Sequence, residues 1–200
     1  MSRSPVEQLA SSLADISELV EGIRDNQWDL PTPCTQWSVY ELVSHLSAGN
    51  QLFAYALAGD PAVAAPSAAP LAADLPPGQR AAAHRDSVTA LLAAFNSPGA
   101  LERVVVVPFG SVPGLIALHL RLVEALVHGW DLAHAVGVRP PFDQELAEQE
   151  LAFTEMRLAD VPPERSPFGP PRPVAQDASA LDRLAACLGR DVTAFVADGR

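Results

Sequence analysis

The sequence has no lysine: all thirteen cationic side chains are arginines, set against 24 acidic ones in 200 residues. A net charge of −11 repels phosphate backbones and anionic leaflets, which excludes non-specific binding to nucleic acid or to a membrane surface. Cysteine is scarce too. Cys34 and Cys187 lie far apart, so there is no disulfide framework. No apolar run approaches the roughly 18 residues of a spanning helix, and MSRSPVEQ opens as a polar helix start rather than a signal peptide. With no address visible, a cytoplasmic location is the expectation. GxG elements, a nucleophile elbow, a Cys/His zinc knuckle and internal repeats are all missing, which leaves nucleotide binding without support.

What is present is mostly helix-forming. Apolar residues make up 48% of the chain, enough to bury a core in one domain of ordinary size with a short appendage. Apolar spacings of three and four recur. A first helix is expected from Ser4 to about Arg24, with Leu9, Leu13, Ile16, Leu19, Val20 and Ile23 on one stripe. Pro31 and Pro33 interrupt the chain, and Ser38 with Glu41 then reads as a capping box that starts a second helix. Residues 60–78, rich in Pro and Ala, read as a long crossover. A third helix is expected over about Gln79 to Phe95, and Val104 to Val107 as one short strand or extended connection. Gly114 opens a fourth helix that Gly137 and Pro140 close. Asp143 caps another, running to about Leu158. Residues 161–174 read as structureless or polyproline-like, and Ala178 to Leu188 as a last short helix.

The fourth helix carries the polar residues of interest. Arg121, Glu124, His128 and Asp131 recur at three, four and three residues, so they share one stripe. Glu124 and His128 stand about 40° apart around the axis and about 6 Å apart along it, close enough to converge on one ion. His119 falls on the opposite face, and His134 points elsewhere. Such a stripe is most often a solvent face, and a Glu-to-His pair at four residues an ordinary surface pair. The second helix offers His45 with the same ambiguity. A His₂Glu set, if the helices face each other, leaves a coordination position open, as a catalytic zinc requires. Cys34, just ahead of the second helix, is either a reactive thiol under the helix dipole or a small buried residue packing beside Trp28 and Trp37.

The segments WDLPTPC (28–34), Trp37-Ser38-Val39 and Leu42-Val43-Ser44-His45-Leu46 together resemble the start of the mycothiol-dependent maleylpyruvate isomerase metal-binding domain family. Glu124-Ala-Leu-Val-His128-Gly129-Trp130-Asp131 is similar to its second ligand helix. Phe168-Gly169-Pro170-Pro171 and Leu181-Asp182-Arg183-Leu184 to Leu188-Gly189-Arg190-Asp191 resemble the tail of a short actinobacterial-type branch. The tail does not look like the additional C-terminal domain of the isomerase itself. The resemblance implies a mainly α, DinB-like four-helix bundle with a long crossover, over residues 1–140, and a C-terminal helical extension over 141–200 packed on it. It also implies His45, Glu124 and His128 as ligands of a divalent metal. Zinc suits them best; nickel, iron and manganese accept the same donors. Mycothiol as thiol cofactor and an electrophilic small molecule as substrate are implied for a transferase or isomerase. Arg121 is then a candidate to hold a substrate carboxylate and Asp131 to orient a ligand. The alternative is a non-enzymatic metal- or ligand-binding module of the same fold. In either case a monomer or homodimer is expected.

Overall fold

A computed structural model describes residues 3–59, 75–108, 110–159, 161–162, 166 and 168–194. Its first helix, α1 (Pro5–Glu21), starts where Ser4 and Glu7 form a capping box, and Pro5 fits the first helical position because its missing N–H would be unpaired there anyway. It ends three residues before the expected Arg24. Gly22 caps it, and Arg24, extended at ψ 156°, instead leads into a single 3₁₀ turn at Asp25–Gln27. Helix α2 (Val39–Ala58) begins at the predicted Ser38–Glu41 box, with Glu41 Oε2 accepting the Ser38 N–H at 2.8 Å. Helix α3 (Pro77–Phe95) starts two residues before the expected Gln79. The rest of the expected crossover, residues 60–74, lies outside the described residues.

Val104–Val107 (β1) pairs antiparallel with Gly110–Pro113 (β2), so the β-branched run belongs to a hairpin rather than to a lone strand. The second strand, GSVP, is too short and too rich in Gly and Pro to register as one. Burial alternates along β1, Val105 and Val107 facing the core while Val104 and Val106 stay exposed. Helix α4 (Gly114–Val136) follows directly. After it come α5 (Gln144–Leu158), capped by Asp143, and α6 (Ala180–Cys187), capped by Ser179. The described residues between 161 and 174 form neither helix nor strand.

Helix α4 is the axis of the molecule. It packs against α1 and α2 on the bundle side, where α3 closes the set against both, and it also contacts α5, α6 and the hairpin. Leu118, Leu122, Leu126, Trp130 and Leu132 on α4 are fully buried, as are Leu9, Leu13 and Ile16 on α1 and Leu42 and Leu46 on α2. Each such leucine contributes about 1.5–3 kcal/mol by leaving water. Because α4 is enclosed, its polar stripe cannot be the solvent face that periodicity alone suggests: Arg121, His128 and Asp131 are all buried.

Candidate metal centre

Two helices aim polar side chains at one point. His45 projects from the second turn of α2, whose start the Ser38 box fixes, and Glu124 and His128 project from successive turns of α4. His45 Nε2 lies 3.1 Å from Glu124 Oε2, and His128 Nε2 lies 3.4 Å from the same oxygen. The imidazole rings are edge to face, with centroids 5.0 Å apart. One ligand atom from each residue lies within 4.8 Å of the other two. Donors held about 2.0–2.1 Å from a tetrahedral zinc are separated by roughly 3.4 Å, so the three residues fit a common cation without rearrangement of the helices. Exposure is graded across the set. The His45 side chain is 37% exposed, Glu124 12% and His128 4%, so the cluster meets solvent on the His45 side.

The electrostatics favour a charged carboxylate. Burial pushes the Glu124 carboxyl up, but hydrogen bonds from His128 and His45, with the charges of His128 and Arg121, outweigh it and hold the group well below its ordinary value. His45 moves down because burial exceeds the attraction of Glu124. Burial acts on His128 in the same sense, yet contacts with Asp131 and Glu124 prevail and its value rises.

Behind the triad lies a second layer. Asp131, fully buried, has Oδ2 3.0 Å from His128 Nδ1. An ionised carboxylate only accepts, so this nitrogen carries the proton and Nε2 is the one turned to Glu124. Arg121 sits inside the α2–α4 interface, 2% exposed, with Nη2 donating to Asn50 Oδ1 at 2.7 Å and Nη1 4.0 Å from Glu124 Oε2. Gly49 makes room for it, since a Cβ there would lie 2.6 Å from Nη1. The guanidinium expected to hold a substrate carboxylate thus lies buried between α2 and Glu124.

The loop before α2 supplies two further groups. Trp37 N–H donates to Cys34 O at 2.8 Å, Thr32 Oγ1 donates to Trp37 O at 2.8 Å, and Val39 N–H donates to Leu30 O at 3.0 Å. This closed loop sets the Trp37 ring 4.3 Å from that of His45 and 5.6 Å from that of His128. It also brings Cys34 near His128 and Asp131, a second group of potential ligand atoms within 4.8 Å. The cation beside Asp131 is already there, however, as the guanidinium of Arg190. Burial pushes the Cys34 thiol up to about 11, so at neutral pH it is a protonated, half-buried group rather than a nucleophile.

His119 and His134 point away from the triad, as their spacing predicts. His119 contacts Glu150 at 2.8 Å and stacks on Phe153, and His134 Nδ1–H donates to Trp130 O at 2.8 Å. Sequence reasoning missed Arg190 and the role of Trp37. Trp37 could have been found from its place one residue ahead of a helix cap, but nothing in the sequence links Arg190 to Asp131.

Helices α1–α4 pack together with a small hairpin, and two of them turn two imidazoles and a carboxylate toward one point, a fold that resembles the DinB-like one. The chain matches the mycothiol maleylpyruvate isomerase N-terminal domain over residues 9–133 and belongs to that family. It is 32% identical over 177 residues to the uncharacterized proteins MT0763 and Rv0738 of two Mycobacterium tuberculosis strains, covering 87% of this chain and 91% of each relative. Among solved structures, mycothiol-dependent maleylpyruvate isomerase superposes with a TM-score of 0.57 at 20% identity, over 74% of this chain and 66% of that one. A histidine-to-alanine variant of that enzyme matches with the same TM-score at 19% identity. At these identities the shared feature is the fold. Among the described residues no helix is long and apolar enough to cross a membrane.

Proposed function

We propose that this protein holds a divalent cation on His45, Glu124 and His128 and works as a thiol-dependent transferase or isomerase. The observation that carries the reading is the convergence of two Nε2 atoms on one carboxylate oxygen, at 3.1 and 3.4 Å. Two imidazoles and a carboxylate favour zinc, with nickel, iron or manganese compatible. Three protein ligands leave coordination positions free, as in catalytic sites. Such an ion, when bound, favours the thiolate form of a coordinated low-molecular-weight thiol such as mycothiol.

The chain's own residues prepare that chemistry. Asp131 fixes the His128 ring through Nδ1, so that Nε2 presents its lone pair once its proton leaves. Arg121, anchored on Asn50, supports the charge and orientation of Glu124, and its remaining donors are the ones to hold a substrate carboxylate. Trp37 walls one side with apolar surface and limits water there. The co-substrate is an electrophile with an activated double bond or a displaceable group. A reduced small thiol as partner fits a cytosolic location.

A second reading, a metal- or ligand-binding module without catalysis, is favoured by the superposition leaving about a third of the isomerase chain unmatched. Metal analysis and thiol titration separate the readings. The purified protein is expected to carry one equivalent of metal, which a His45→Ala/His128→Ala variant loses. Mycothiol is expected to shift the visible spectrum of a cobalt-substituted sample. Metal retained by the double variant contradicts the site, and a spectrum indifferent to mycothiol selects the binding module.

A further inference from the structure

Arg190 lies beyond the family match and comes from the segment after α6, yet its side chain ends beside the candidate metal centre. The backbone explains how. After Cys187 the chain reverses at Gly189, whose φ of +89° lies in the left-handed region, and Arg190 N–H returns to Ala185 O at 3.0 Å. Gly169 from the preceding Pro-rich segment packs against this turn so closely that a Cβ on Gly189 would lie 2.8 Å from its Cα. The two glycine-containing tail motifs, FGPP and LGRD, thus meet, and their meeting sends the Arg190 side chain back onto α4.

There Arg190 grips Asp131 in a fork. Nε donates to Oδ1 at 3.2 Å, Nη2 to Oδ2 at 2.8 Å, and Nη1 to Leu188 O at 2.9 Å. Arg190 is 7% exposed and Asp131 not at all. A bidentate guanidinium fixes the plane of a carboxylate as well as its charge. The oxygen so fixed, Oδ2, is the one that accepts the His128 Nδ1–H at 3.0 Å. The orientation of a candidate metal ligand on the bundle therefore depends on a side chain from the C-terminal segment.

We propose that Arg190 is a positioning residue, whose fork on Asp131 orients His128 and so sets its metal affinity. This rests on the reading that His45, Glu124 and His128 bind a cation, and it adds that one side chain of the C-terminal segment, Arg190, sets how tightly they do so. The test is a Co²⁺ titration of the full chain, followed by visible absorption, on the parent, Arg190→Gln, Arg190→Lys and Asp182→Ala. Asp182 accepts the Trp130 Nε1–H at 2.8 Å and anchors α6 on α4 away from the cluster, so its loss reports docking stability alone.

Removal of partners behind a metal ligand weakens binding about 10–100-fold, and that loss is expected for Arg190→Gln, with a shifted ligand-field band. Arg190→Lys keeps the charge without the fork and is expected to lose affinity to a smaller degree, also with a shifted band. Asp182→Ala is expected to lower the melting temperature while keeping the band and an affinity within about threefold of the parent. Parent-like affinity and band in Arg190→Gln, or equal losses in Asp182→Ala, would overturn the proposal. Should Arg190→Gln not fold, Arg190→Lys decides: a parent-like titration and band overturn the proposal. A parent that binds no cobalt removes the metal reading itself, whereas a binding parent with an equally good Arg190→Gln variant removes only this inference.

Discussion

Helix α2 contributes to two buried polar clusters that differ in what they can do. Toward α4, His45 meets Glu124 and His128 at a point with one side open to solvent. Toward α3, Ser47 and Asn50 join His84 and Ser87 in a sealed network. Ser47 Oγ lies 3.1 Å from His84 Nδ1, and Asn50 Nδ2 donates to Ser87 Oγ at 3.1 Å. Both clusters contain a histidine on an otherwise apolar face, so burial of an imidazole identifies neither as a site. The difference lies in charge and access. The first focuses two ring nitrogens on an ionised carboxylate; the second joins neutral groups and meets charge through Asn50, which accepts from Arg121. Arg121 joins them, with one nitrogen on Asn50 and another near Glu124.

Acid separates the clusters most strongly. Burial, with a smaller contribution from the charge of Arg121, pushes His84 down to about 4 from its ordinary 6.5. The unfolded chain therefore takes up this proton first. The stability tied to a neutral His84 is complete above about pH 6.5 and is lost as pH falls toward about 4, where the loss levels off at on the order of 3 kcal/mol. Urea unfolding between pH 7 and 4 is expected to reveal this slope, and His84→Leu, which cannot titrate, to flatten it. An unchanged slope in the variant would assign the acid response to other groups.

The link between the clusters should give a smaller effect. In Gly49→Ala the new methyl group would meet Arg121 Nη1 at 2.6 Å, and the guanidinium cannot easily yield because it is buried and held by Asn50. Overpacking of this kind costs about 1–3 kcal/mol, read as a lower denaturation midpoint. Because Arg121 would shift relative to Glu124, weaker metal binding is expected together with the lost stability. A variant that loses only stability would show that the clusters merely adjoin.

Much of this is legible in the sequence because it rests on local rules. The Ser38–Glu41 box by itself marks the start of α2, and hence the phase of His45. Spacing on α4 puts Glu124, His128 and Asp131 on one stripe and sets His119 apart, which the contact of His119 with Glu150 bears out. What spacing cannot decide is whether that stripe faces water. The answer depends on α2, the loop before it and Arg190 closing over that stripe, a tertiary fact with no local signature. Arg190 is hidden for the same reason: its partner is 59 residues away in sequence. The second strand escapes notice because Gly110 and Pro113 carry little β-propensity, and pairing with four valines draws them into a hairpin.

X-ray absorption at the metal edge of the zinc-loaded protein tests the central claim most directly. The account predicts a first shell of nitrogen and oxygen at about 2.0–2.1 Å, with the outer-shell scattering of two imidazole rings. A sulfur contribution at about 2.3 Å in the thiol-free protein would contradict it, because the metal would then sit with Cys34 rather than between His45, Glu124 and His128.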